Sequence, residues 1–127
     1  MAAEQGLRVK RVAEGIREEI AALLSLEVKD PRAAGAVVTR VELTADLRSA
    51  RVFVRLLDAK GDEARRKELV DALTRAAGML RRAVTQRLSL RHAPTLRFAY
   101  DEGLEKSTRV EELLAEIEAE RRSRGGP

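Results

Sequence analysis

Two stretches of alternating residues, 37–43 and 50–56, are separated by only the polar linker Thr44-Ala45-Asp46-Leu47-Arg48-Ser49. In an extended chain side chains point to opposite faces in turn, so Val37, Thr39, Val41 and Leu43 share one face, and Ala50, Val52, Val54 and Leu56 share the next. A linker this short predicts an antiparallel hairpin, with strands near 36–44 and 48–58. Its apolar face must be covered by the rest of the chain. At 127 residues the chain is one domain, large enough to bury roughly two-thirds of its unfolded surface around a single core.

Helical periodicity flanks the hairpin on both sides. Val9, Val12, Ala13, Ile16, Ile20, Leu23 and Leu24 recur at spacings of three and four, which predicts a first helix over 7–26. Asp30-Pro31 ends it, because the residue before a proline is disfavoured in the helical region. Lys60-Gly61-Asp62 punctuates the chain again, with Asp62 placed to cap a helix whose buried stripe is Leu69, Val70, Leu73, Ala76 and Ala77. The stripe resumes after Gly78 in Leu80, Val84 and Leu88. Glycine inside a helix costs roughly 1 kcal/mol relative to alanine, so a bend at Ala76-Ala77-Gly78 is expected, dividing the pattern into two helices.

Pro94 ends this pattern, and Leu96, Phe98 and Tyr100 alternate as a third strand over 95–100. Val110, Leu113, Leu114 and Ile117 then mark a short amphipathic helix, and residues 119–127 read as a flexible basic tail after a domain spanning 1–118. No internal repeat is evident. If the two central helices reverse direction at Gly78, the third strand returns antiparallel to the second and parallel to the first, which places the first strand in the centre. The expected class is α+β, a three-stranded mixed sheet with helices on one face. The other face would display Arg40, Arg51, Phe53, Arg55 and Arg97.

The charge is unevenly spread. Residues 59–97 carry ten basic and four acidic side chains, whereas residues 98–127 carry five and eight, within a net charge of +4. From Ala72 to Tyr100 there are six arginines, Arg75, Arg81, Arg82, Arg87, Arg91 and Arg97, and no acid. A run with one sign of charge points to a polyanion partner. At about 100° per residue Arg75 and Arg82 fall on the polar face of their helix with Arg81 on its flank, and Arg87 lies near the apolar stripe.

Other classes of function are disfavoured. Cysteine is absent, so there is neither a disulfide nor a thiolate site, which suits a reducing cytoplasm. No run approaches the ~20 apolar residues of a membrane span. His92 is the sole histidine and has no Ser or Cys nucleophile beside it; with no phosphate-binding glycine motif either, neither a metal, nor a cofactor, nor an enzyme is expected.

The series Arg11-Val12, Ile20-Ala21, Lys29-Asp30-Pro31-Arg32, Val41-Glu42-Leu43-Thr44, Asp46-Leu47 and Ala50-Arg51-Val52 resembles the ribosome-binding factor A family. So does Ala76-Ala77-Gly78, Leu80-Arg81, Leu90-Arg91, Pro94, Leu96, Phe98 and Tyr100-Asp101, in order across nearly all of 8–117. Thr95 and Gly103 depart from the family, which usually has Glu and Ser there. The resemblance implies a type II KH-like fold, α-β-β-α-bend-α-β with a C-terminal helix. It also implies a monomeric, non-enzymatic assembly factor that binds 16S rRNA and the small ribosomal subunit, supports maturation of the rRNA 5′ end, and leaves with the help of a ribosome-assembly GTPase. KH domains clamp nucleic-acid backbone with a GxxG loop, and the family's Ala-x-Gly bend maps onto Ala76-Ala77-Gly78.

On this reading the RNA-binding residues are Arg75, Ala76, Gly78, Arg81, Arg82 and Arg91, with Arg40, Arg51 and Arg97 on the sheet. Gly78 has two readings, a close-packing glycine or a gap through which phosphate reaches the backbone. Under the second, Gly78→Ala is neutral or destabilising and weakens binding. Phe53 likewise reads as a base-stacking platform or as an aromatic packed under the last helix. The alternative for the whole chain is a protein-interaction domain that pairs through its sheet edge or last helix without touching RNA.

Overall fold

The computed structural model describes residues 2–57 and 62–123, and among them the side chains other than those of 2–5 and 104–112. The first helix, α1, spans Ala2–Leu26, and it buries the stripe Ile16, Ile20 and Leu23 completely. A 3-10 turn over Pro31–Ala33 follows, where the Asp30 carboxylate accepts from the Arg32 backbone N–H at 3.0 Å. Gly35, with φ of +79°, then turns the chain into the sheet through a conformation that L side chains rarely adopt.

Strand β1, Ala36–Leu43, pairs antiparallel with β2, Ser49–Leu56, so the hairpin forms as expected. Its facing does not follow simple alternation. The register shifts between Val38 and Arg40, so Thr39 is an extra residue on β1 and the side-chain parity changes there. Before the bulge Val38 enters the core and Val37 lies opposite Arg55; after it, Val41 and Leu43 pair with the core residues Val52 and Ala50. Val37 and Thr39 therefore do not share the face of Val41 and Leu43.

One uninterrupted helix, α2, runs over Glu63–Arg87. Asp62 caps it as predicted, its carboxylate accepting from the Arg65 N–H at 3.0 Å. The expected bend at Ala76-Ala77-Gly78 is absent: Gly78 has helical backbone, and a Cβ built there meets nothing within 4 Å. This corrects the topology too. A single helix cannot fold the chain back on itself. Instead it carries the chain back along the sheet, and a strand reached by such a crossover lies parallel to the one it left. Accordingly β3, Thr95–Tyr100, pairs parallel with β2, and the order is β1-β2-β3 with β2 in the centre, not β1.

The α+β, KH-like arrangement stands, with the two central helices fused into one. Ile16, Ile20 and Leu23 of α1 and Leu69, Leu73, Leu80 and Val84 of α2 meet Val52, Val54, Leu96 and Phe98 in one buried cluster on one face of the sheet. The last helix, α3, covers Gly103–Ser123, so it continues through residues 119–123. Asp58, Lys60, Gly61, the Val110 side chain and residues 124–127 lie outside the described residues.

Candidate nucleic-acid interface

The charged stripe of α2 is built by the same spacing that builds its core face. With Leu69, Leu73, Leu80 and Val84 turned inward, Lys67, Asp71, Arg75, Gly78 and Arg82 line the solvent side. Gly78 stands between two arginines as bare helix backbone, open to solvent. Its N–H belongs to the helical ladder, so the glycine offers space and no spare donor. Ala76 is half-buried against the core and is not part of this stripe.

The six arginines of the acid-free run divide by what holds them. Arg75 is 54% exposed and lies 3.8 Å from the Asp30 carboxylate. That carboxyl is held below its ordinary range, chiefly by the Arg32 side chain and backbone, with Arg75 adding a smaller attraction. Arg81 donates from Nε and Nη2 to the Ala93 carbonyl at 3.2 and 2.8 Å, which staples α2 to the loop before β3. Arg87 reaches α1, 3.2 Å from Glu19 and 3.6 Å from Glu27. Arg82, Arg91 and Arg97 are exposed and have no intramolecular partner among the described residues.

The open face of the sheet carries Arg40, Arg51, Phe53, Arg55 and Arg97, as expected. Arg40 is engaged: its guanidinium lies 4.0 Å from the Phe53 ring centroid and 3.0 Å from Glu42. Phe53 is thus covered by an arginine of β1, and no base can stack on that ring face without displacing Arg40. The parallel register sets Arg51 directly beside Arg97. Neighbouring strands are about 4.8 Å apart, and like charges facing across a ladder repel. Neither arginine makes an ion pair among the described residues; Glu42 lies across the ladder from Arg51, but its carboxylate is held by Arg40. A shallow depression of about 460 Å³ runs between them, lined also by Glu42, Thr44 and Ser49.

These cations do not form one surface. The helix layer separates the outer stripe of α2 from the open sheet face, so Arg75 and Arg82 lie on the opposite side of the molecule from Arg51 and Arg97. Arg91 belongs to a third place, a cleft of about 730 Å³ where the start of α1, the β1–β2 turn and the α2–β3 loop converge. Arg8 and His92 line it too, as do Leu47 and Ser89, the two non-glycine residues with positive φ among the described residues, at 61° and 51°. Sequence reasoning missed Arg8, and no local signal could have found it: the residues that share the cleft with α1 come from 45–47 and 88–92, far along the chain.

The family pattern of ribosome-binding factor A matches residues 8–114. A ribosome-binding factor A of Sorangium cellulosum is 50% identical over 110 residues, spanning 87% of this chain and 88% of that protein. One from Desulforamulus reducens is 40% identical over 113 residues, 89% and 92% of the two chains. In structure, the crystallised ribosome-binding factor A of Thermus thermophilus superposes with a TM-score of 0.61 at 24% identity, covering 72% of this chain and 94% of that one, a likeness of fold. A solution structure of a Thermotoga maritima protein gives a TM-score of 0.57 at 32% identity over 77% and 87% of the respective chains. Identity at this level across both hairpin strands, the crossover helix and the third strand establishes common membership, and the chain belongs to the ribosome-binding factor A family.

Proposed function

We propose that this protein is a non-enzymatic assembly factor that binds the immature small ribosomal subunit through phosphates of 16S rRNA and supports late maturation, including that of the rRNA 5′ end. The observation that carries this reading is the adjacency of Arg51 and Arg97, neither of them in an ion pair among the described residues; the acid beside them, Glu42 across from Arg51, is bonded to Arg40 at 3.0 Å. A protein that folds alone gains nothing from setting two cations side by side on its surface, whereas a phosphate backbone turns that repulsion into attraction and releases counterions. Arg75, Gly78 and Arg82 on α2 and Arg91 at the edge supply further contacts. Arg81 and Arg40 act mainly through the fold. The mechanism is occupancy: docked cations hold one rRNA conformation and keep the subunit out of translation until the factor leaves.

Salt titrations of binding to purified small subunits test this. Each phosphate contact adds about 1 to the slope of log affinity against log salt concentration. The double variants Arg51→Ala/Arg97→Ala and Arg75→Ala/Arg82→Ala are each expected to lower the slope by about 2 while melting as the parent does. If both bind with the parent's affinity and slope, phosphate docking by these faces is wrong.

A further inference from the structure

The chain contains the reverse of its basic run. From Val110 to Glu120 there are five glutamates, Glu111, Glu112, Glu116, Glu118 and Glu120, and no cation. Within this acidic stretch α3 carries a largely exposed apolar stripe: Leu113 and Leu114 are each 55% exposed and Ile117 is 42% exposed. None of the three joins the core cluster. At about 100° per residue they lie within one 100° sector, with Glu118 and Glu120 on its two borders.

The start of α3 is held in place. The Asp101 carboxylate accepts from the Gly103 N–H at 3.1 Å and from the Thr39 hydroxyl at 2.5 Å, with Arg40 at 4.0 Å. The Asp101 N–H in turn donates to the Val54 carbonyl at 2.7 Å. The helix therefore leaves from a fixed point at the end of β3, in the same body as the basic faces.

On a particle made of RNA and protein, such a helix is repelled by one component and attracted by the other. Carboxylates within a Debye length of phosphate, about 8 Å at physiological ionic strength, are repelled by it, and of the described glutamates here only Glu118 has a cation beside it, Arg122 at 3.7 Å in an exposed and weakly compensating pair. The apolar stripe gains nothing from phosphate either. We propose that α3 is a protein-docking helix: Leu113, Leu114 and Ile117 seat in an apolar groove on a basic protein of the small subunit, and the bordering glutamates face its cations. This is helix-in-groove recognition, with anchors one turn apart and a charged rim that selects the partner. The inference rests on the assembly-factor reading above and adds a second kind of contact to it, one that RNA cannot supply.

The test compares two probes, intact small subunits and protein-free 16S rRNA, using the full chain. Leu114→Asn/Ile117→Asn, which removes the apolar anchors without changing the charge, is expected to weaken binding to subunits at least tenfold and to leave binding to free rRNA unchanged. Glu118→Lys/Glu120→Lys is expected to weaken subunit binding while tightening rRNA binding. A photo-crosslinking side chain at position 117 should attach to a protein of the subunit, and the glutamate reversal should abolish that product. Crosslinking to rRNA, to this chain's own open sheet face or to a second copy would overturn the proposal. So would subunit binding by the stripe variant equal to the parent's, and in that case the assembly-factor reading survives. If the parent binds neither probe, that reading falls and the proposal with it.

Discussion

Gly78 shows how a single residue can be read correctly as exceptional and wrongly as a break. Its cost to a helix is real, but α2 passes through it because Leu69, Leu73, Leu80 and Val84 bury one continuous stripe on either side. The expectation for its substitution is therefore reversed. With helical backbone and no atom within 4 Å of an added Cβ, Gly78→Ala should stabilise the protein by up to about 1 kcal/mol, raising the melting temperature by roughly 2–6 °C. Calorimetry of the variant checks this. Binding is a separate matter, because the methyl group would stand between Arg75 and Arg82 where rRNA is proposed to approach. A variant that melts higher yet binds less tightly would assign the glycine to function and not to packing. Arg81 teaches the converse. It reads as one more phosphate ligand in a basic run, yet both of its bonded nitrogens are spent on the Ala93 carbonyl. Arg81→Ala should cost about 1 kcal/mol of stability and leave the salt slope of binding nearly unchanged, measurable by denaturant unfolding alongside the titrations. Replacing it together with Arg75 and Arg82 would confuse loss of fold with loss of contact.

Among the elements, α2 decides most. Its stripe and its cap were legible, because period and Asp62 are local signals, whereas its end was not: Pro94 marked the break, but the helix already stops at Arg87 with Leu88 as its C-cap. Whether it was one helix or two was not, and the sheet order hung on that. A reversal at Gly78 gives a central β1; a continuous crossover gives a central β2 and a parallel β3. The bulge at Thr39 is a similar case at smaller scale. Alternation predicted four residues on one face of β1, yet the extra residue lets Val38 join the core and frees the Thr39 hydroxyl to hold Asp101. Among the described residues of helix α3, none joins the core cluster. Ending the chain at Glu102 should therefore preserve cooperative unfolding within about 1 kcal/mol of the parent while lowering affinity for subunits, and circular dichroism melts with parallel binding assays would show it. Collapse of the shortened chain would mean that α3 supports the fold.

For the whole molecule, charge and chain connectivity worked at different ranges. The sequence alone determined the element types, the hairpin, the single core and the excess of cations in the middle of the chain, since each follows from residues within about one turn or one strand of each other. The family resemblance followed from the same local segments taken in order. What only the tertiary structure decided was which cations are available. Arg40 is drawn over Phe53, Arg81 and Arg87 are spent on the Ala93 carbonyl and on α1, and Arg51 is set against Arg97 by the parallel register. It also divided one basic run between two sides of the molecule and brought Arg8 to Arg91 across most of the chain. Periodicity is a property of neighbours, whereas an ion pair or a like-charge contact depends on strand order, and strand order is chosen by how helices cross the sheet to bury the most apolar surface.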